Sequence, residues 1–353
     1  MKHKYILSLI LMTGLLFSCQ QKQPEPKMEQ AQTQTDQFEY QSEQFADIKI
    51  LRYQIPGFEQ LSLDQKKYVY YLTQAGLAGR DIIYDQNYRH NLKIRRALEY
   101  IYKNYKGDTS TEDWKNFETY LKRIWFANGI HHHYANDKFT PGFSKEYLNF
   151  LLNETNVKLE GDALEVIFND KDLKKVNLNP EKGLVKGSAT NFYGPDITAS
   201  DVDACYNALE VDPERPIEKG LNSKLIRENG KITEKVYKSG GMYGASIDKI
   251  IYWLTKAKEV AENESQAKGL ELLIKYYQTG DLKTWDAYNI VWAKSTAGDI
   301  DYINGFIEVY NDPKGYKGSY ETVVQINDFE MSEKMAALAN NAQWFEDNST
   351  LDE

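Results

Sequence analysis

The sequence predicts an α+β protein, mostly helical with a small β element in its middle. Two observations carry this. Apolar residues recur at steps of three and four through most of 38–155 and 241–353, whereas the segments between about 156 and 240 are short, turn-punctuated and partly alternating. With 353 residues, 41% hydrophobic and 27% charged, the chain is long enough to bury real cores. Its formal charge of −9, from 43 basic and 52 acidic residues with no basic block, argues against nucleic acid as a partner.

The N-terminus reads as a targeting signal. Lys2 and Lys4 precede an apolar run from Tyr5 to Phe17, which is shorter than the roughly 20 residues a membrane span needs. The run ends in "LFSC", which resembles a bacterial lipobox with Cys19 as the lipidated residue. Residues 1–19 are therefore expected to be a lipoprotein signal peptide, and the protein to be anchored to a membrane in the periplasm or at the cell surface. Residues 20–37, "QQKQPEPKMEQAQTQTDQ", contain no large apolar residue but Met28 and read as a disordered tether. Cys205 is then the one free thiol, with no partner for an internal disulfide.

Helices dominate 38–155. Ser62 and Gln65 stand at capping-box spacing ahead of Tyr68, Tyr71, Leu72 and Ala75. A second pattern carries Leu92, Leu98, Ile101, Tyr102 and Tyr105, stopped by Gly107. A third places Trp114, Phe117, Leu121, Ile124 and Trp125 on one face and stops at Gly129, and a fourth starts at Ser144 with Leu148, Leu151 and Leu152. The strand-rich part, 156–240, includes a hairpin expected at Asn229-Gly230. Helical periodicity resumes at Ser246. The last long helix is expected over about 319–347, with Met331, Met335, Leu338, Ala342 and Phe345 as a buried stripe.

Three segments invite a chemical reading. "GIHHHYANDKF", 129–139, holds three of the five histidines, but consecutive imidazoles cannot share a helix face as metal ligands do, so a polar loop is the expectation. The glycines of "KSGGMYGAS", 238–246, fit no phosphate-binding pattern and read as a turn into a helix. In "GDIDYINGFIEVYNDPKGYKG", 298–318, a helix would put Asp301, Asn304 and Glu308 on one stripe at i, i+3 and i+7. That stripe is either a solvated face or a binding site.

The segment "INGFIEVYNDPKGYKGSYE", with "SGGMYGASIDKIIYWLTKAKEVAEN", "MSEKMAALANNAQWF" and "GIHHHYANDKFTPGFSKEYL", resembles the dipeptidyl peptidase III family of zinc-dependent exopeptidases over residue 38 to the end. The resemblance implies a two-lobed fold in which one lobe holds a small β-barrel flanked by helices, supplied here by 156–240. It implies that short peptides are the partners, cut into dipeptides from their free N-terminus. Asp301 aligns with the acidic residue facing the substrate amine, with Asn304 and Glu308 beside it, and Tyr134 aligns with an aromatic residue lining the pocket for the first side chain. The family's zinc motif, H-E-x-x-G-H, does not occur here and is expected beyond the equivalent of residue 353. The chain is thus expected to be the N-terminal portion, without zinc ligands and inactive alone, with zinc bound only by the full-length enzyme. The competing expectation is a lipid-anchored peptide- or glycan-binding protein without catalysis, which the 26 tyrosines also suit.

Overall fold

A computed structural model describes residues 38–159 and 161–350; the signal segment, Cys19 and the tether lie outside the described residues. The chain opens with a hairpin, β1 (Gln41–Phe45) and β2 (Ile48–Leu51). Six helices follow: α1 (Leu63–Ala78), α2 (Arg80–Asn87), α3 (Asn91–Asn104), α4 (Glu112–Ala127), α5 (Lys145–Glu154) and α6 (Ala163–Phe168). Next come α7 (Ala199–Asn207) and the antiparallel pair β3 (Ser223–Glu228) and β4 (Lys231–Val236). The helices α8 (Gly244–Lys258), α9 (Glu264–Thr279) and α10 (Leu282–Lys294) lead into a third antiparallel pair, β5 (Ile300–Phe306) and β6 (Tyr320–Ile326). The described residues close with α11 (Phe329–Ala339) and α12 (Ala342–Asp347).

Much of this follows from local sequence. The capping box forms as spaced, with the Gln65 N–H donating to Ser62 Oγ at 3.2 Å and the Ser62 N–H to Gln65 Oε1 at 2.9 Å. Ser144 caps α5 through the Tyr147 N–H at 3.0 Å. The β3–β4 turn has φ of 49° at Asn229 and 79° at Gly230, the positive pair that a two-residue hairpin of type I′ demands.

Three cores result. One gathers α2 to α6 around Phe117, Leu121, Ile124, Leu148 and Leu151. The second packs α1, α8, α9 and α10 against β5 and β6 around Tyr68, Leu72, Ile250, Tyr277 and Phe306. In it the Tyr320 hydroxyl on β6 donates to the Gly76 carbonyl of α1 at 3.2 Å, tying residues 244 positions apart. A smaller core joins α7 to β3 through Phe192, Val202, Tyr206 and Leu225.

Two expectations need correction, and a third, the barrel, is not confirmed. Residues 300–306 form a strand, not a helix: Ile300, Tyr302, Asn304 and Phe306 alternate into the second core, and the aromatic, β-branched and glycine content disfavours a helix there. Residues 319–347 are not one helix but β6 followed by two short helices. Their apolar stripe is exposed, with Met331, Met335, Leu338 and Phe345 each about half open to solvent. Within 156–240 the described residues show one hairpin and two helices; each sheet has two strands, and no closed barrel forms among the described residues. No described helix is long and apolar enough to cross a membrane.

Candidate functional site

The strand β5 is positioned at its entry by Glu262. Its carboxylate accepts from the N–H groups of Asp299 and Ile300 at 3.0 Å, and from the amides of Gln65 and Gln266 at 2.9 Å. Burial pushes the Glu262 carboxyl up, but these four donors outweigh it and hold the group below its ordinary range. The next residues along β5 are those the sequence singled out.

As a strand, β5 sends Asp301 and Asn304 to opposite faces. Asp301 is exposed, and its Oδ1 accepts from Trp292 Nε1 at 3.1 Å; the same indole N–H reaches the Tyr302 carbonyl at 3.0 Å. Asn304 is buried, and its Oδ1 accepts from the Tyr277 hydroxyl at 2.6 Å, while its Nδ2 has no partner. The single stripe expected of Asp301, Asn304 and Glu308 is therefore not formed. Glu308 lies past the end of the strand, exposed, where the Ser319 N–H donates to its backbone carbonyl at 2.9 Å.

Two adjoining cavities share Trp292 and Tyr302 in their walls. The larger, about 570 Å³, lies between α10, β5 and the connection after it, and is lined by Trp285, Tyr288, Trp292, Glu308 and Tyr310 among others. The smaller, about 310 Å³, contains Asp301 with Gln266 and Ser295. Both combine aromatic walls with a carboxylate, a combination suited to a cationic amine next to an apolar chain. Sequence reasoning missed the aromatic wall, although its signal was present: Trp285, Tyr288 and Trp292 stand at i, i+3 and i+7 and do share a helix face.

The 131–134 loop contributes to neither cavity. Tyr134 is 83% exposed and its N–H donates to His132 Nδ1 at 3.1 Å. Its neighbour His133 lines a separate cavity of about 480 Å³ between the α1–α2 junction and β6. The loop's own order comes from His131, which is buried and donates from Nε2 to the Leu173 carbonyl at 2.9 Å.

This arrangement can be set beside known proteins. Residues 217–347, which include α10, β5 and β6, match the description Peptidase family M49. The chain is 24% identical over 257 residues to dipeptidyl peptidase 3 of Dictyostelium discoideum, covering 67% of this chain and 36% of that one. It is 23% identical over 330 residues to dipeptidyl peptidase 3 of Homo sapiens, covering 81% and 45%. The fold matches DPP III from Caldithrix abyssi with a TM-score of 0.55 at 20% identity, over 82% of this chain and 45% of that one. Dipeptidyl-peptidase III from Corallococcus sp. strain EGB matches with the same score at 15% identity, over 84% and 44%. The Peptidase family M49 match and the similarity to dipeptidyl peptidases III together cover most of this chain. The chain spans less than half the length of the curated relatives it matches.

The similarity to Peptidase family M49 raises the question of zinc, and the histidine triplet is the natural place to test for it. The imidazoles do not fit. His131 commits Nε2–H to a carbonyl, His132 Nδ1 accepts from the N–H groups of both Tyr134 and Ala135, and the His133 ring packs edge-on against Phe126 at 5.0 Å. Among the described residues no three His, Cys, Asp or Glu side chains are grouped as ligands. No step through a metal is assigned to these residues.

Proposed function

We propose that this chain supplies the peptide-recognition face of a dipeptidyl peptidase III-type metallo-exopeptidase that releases dipeptides from the free N-terminus of short peptides and uses zinc. The observation that carries this reading is the Asp301 carboxylate of the smaller cavity, held by the Trp292 indole that walls both cavities. An N-terminal ammonium is recognised by charge-assisted hydrogen bonds to a carboxylate, and aromatic faces beside it add attraction. Asp301 takes that ammonium. Glu308 adds negative charge on the other side of Trp292, and Asn304 fixes the strand from behind. Membrane anchoring through Cys19, in the periplasm or at the cell surface, belongs to the same proposal.

The 353 residues contain no H-E-x-x-G-H, so activation of the attacking water is assigned to no residue of this chain. Binding without turnover is expected of it by itself. Calorimetry with a tripeptide and its N-acetylated form tests the reading. The free amine should bind about tenfold more tightly, roughly 1.4 kcal/mol, and Asp301→Asn should abolish the difference. Equal affinities in the native chain would overturn the proposal. Turnover by the native protein from a membrane fraction would separate a peptidase from a lipid-anchored binding protein.

A further inference from the structure

The cavity of about 480 Å³ between the α1–α2 junction, the His133 loop and β6 has a charge pattern that its own residues do not balance. Its walls include Arg80, Asn87, Asn128, His133, Lys175 and Glu321. Lys175 is 95% buried, since only 5% of its surface is exposed. The lysines around it are paired, Lys174 with Asp137 at 2.8 Å and Lys138 with Asp172 at 3.9 Å. Lys175 has no carboxylate within ion-pair distance and no hydrogen-bond acceptor for its amine among the described residues. The titratable groups it does meet are the imidazoles of His131 and His133, which burial and then its charge hold down.

A buried cation without a counter-ion is costly, and such a group persists where something else supplies the charge. Burial alone pushes the Lys175 amine down to about 8, with no acidic group acting against it. The cavity also holds polar atoms left open. Asn87 is 4% exposed; its Nδ2 donates to the Asn128 carbonyl at 3.1 Å, and its Oδ1 accepts from nothing. His133 Nδ1 is likewise unpartnered.

We propose that this cavity binds a carboxylate of the peptide ligand, with Lys175 as its buried counter-ion and Arg80 at the mouth. The inference rests on the peptide-binding reading above and extends it to the far end of the ligand. A singly charged anion fits better than a phosphate, because Glu321 offsets one of the two cations. Asn87 Oδ1 is placed to accept an N–H, which a peptide offers next to its carboxylate. Continuity with the amine-binding side comes from Glu308, which lines the first large cavity and lies near enough to Glu321 to raise that carboxyl together with burial.

The 353-residue chain with 13Cε-labelled lysine provides the first test, with Lys175 assigned by the signal lost in Lys175→Arg. Acetate should raise the Lys175 pKa by about one unit; an amine unmoved by about 100 mM acetate, many times the Kd a useful carboxylate site would show, overturns the site. Three peptides then identify the source of the carboxylate: trialanine, its C-terminal amide, and that amide with glutamate as third residue. Trialanine binding about tenfold tighter than its amide, a difference lost in Lys175→Met and kept in Lys175→Arg, assigns the C-terminal carboxylate. Recovery of that affinity by the glutamate peptide assigns an acidic side chain instead. If acetate moves Lys175 while no peptide binds, the carboxylate site stands and the peptide reading falls. If all three bind equally and Lys175 is unmoved, the site falls and the peptide reading stands.

Discussion

The indole of Trp285 lies directly over Gly305, so close that a Cβ on residue 305 would stand 2.4 Å from Cη2 of the ring. The same ring walls the large cavity and packs on Tyr276 at 4.8 Å between centroids. Gly305 is therefore what lets α10 sit on β5 and shape the site. Gly305→Ala must push the ring or bend the strand, and overpacking of this kind costs about 1–3 kcal/mol. Thermal unfolding should show a Tm several degrees lower, with weaker peptide binding in the folded fraction. An unchanged Tm would show that Trp285 gives way freely.

Trp292 separates two roles that a merely structural tryptophan would not. Its Nε1–H holds both Asp301 Oδ1 and the Tyr302 carbonyl, so Trp292→Phe keeps most of the apolar wall and removes the donor. Losing a hydrogen bond to an exposed carboxylate is worth about 1 kcal/mol. Peptides with a free amine should bind roughly fivefold more weakly, and N-acetylated peptides should be unaffected. Equal loss for both would make Trp292 a packing residue only.

The connection that carries Glu308 is anchored by a fully buried lysine. Lys317 Nζ donates to the Gly220 carbonyl at 3.1 Å and Ser223 Oγ at 2.9 Å, contacts the Tyr206 hydroxyl, and lies 3.5 Å from Glu234. Asp312 fixes the same connection from Tyr193, whose hydroxyl donates at 2.7 Å. Lys317→Met removes one donor from each of four polar groups, Gly220, Ser223, Tyr206 and Glu234. Glu234 is about one-third exposed, which puts the loss near the lower end for a broken buried pair, about 3 kcal/mol. Urea denaturation should show a lower midpoint with an unchanged slope; a midpoint within error of the native value would contradict the anchoring role.

The limits of the sequence are instructive at these same residues. Caps, hairpin and helix faces were legible, because a capping box, an Asn-Gly turn or a heptad-like stripe is decided by neighbours within a few positions. Residues 300–306 were misread because Asp301, Asn304 and Glu308 happen to match helical spacing, while the strand is set by long-range pairing with β6 and by the packing of Tyr302 and Phe306 in the second core. The stripe on α11 was read as core because periodicity reports amphipathicity, not what covers it; Met331 and Met335 stay exposed among the described residues. The histidine loop and Lys175 could not be joined from sequence at all. Their proximity depends on backbone bonds such as that from the Lys175 N–H to the Asn136 carbonyl, 39 positions away.

That loop should also be the part of the structure most sensitive to acid. Burial pushes His131 from its ordinary value near 6.5 down to about 4, although the bond to the Leu173 carbonyl and the Asp172 charge pull the other way and Lys138 and Lys175 reinforce the drop. Between those two values the unfolded chain carries a proton on this ring and the folded chain does not. Stability from His131 is thus fully present above about pH 6.5 and is lost as pH falls towards 4. The ceiling is about 3 kcal/mol at roughly 1.4 kcal/mol per unit. Acidic side chains titrate in the same window, so the contribution must be read as a difference from His131→Gln, which cannot ionise. Urea unfolding at pH 7, 5.5 and 4.5 should show the native chain's advantage over the variant shrinking steadily. A pH-independent difference would mean that the ring is not held neutral. Because His131 pairs with Lys138 across the loop, its protonation should open 131–139 first, and hydrogen exchange at the Phe139 amide, bonded to the Ile130 carbonyl at 2.8 Å, should accelerate before that of α4.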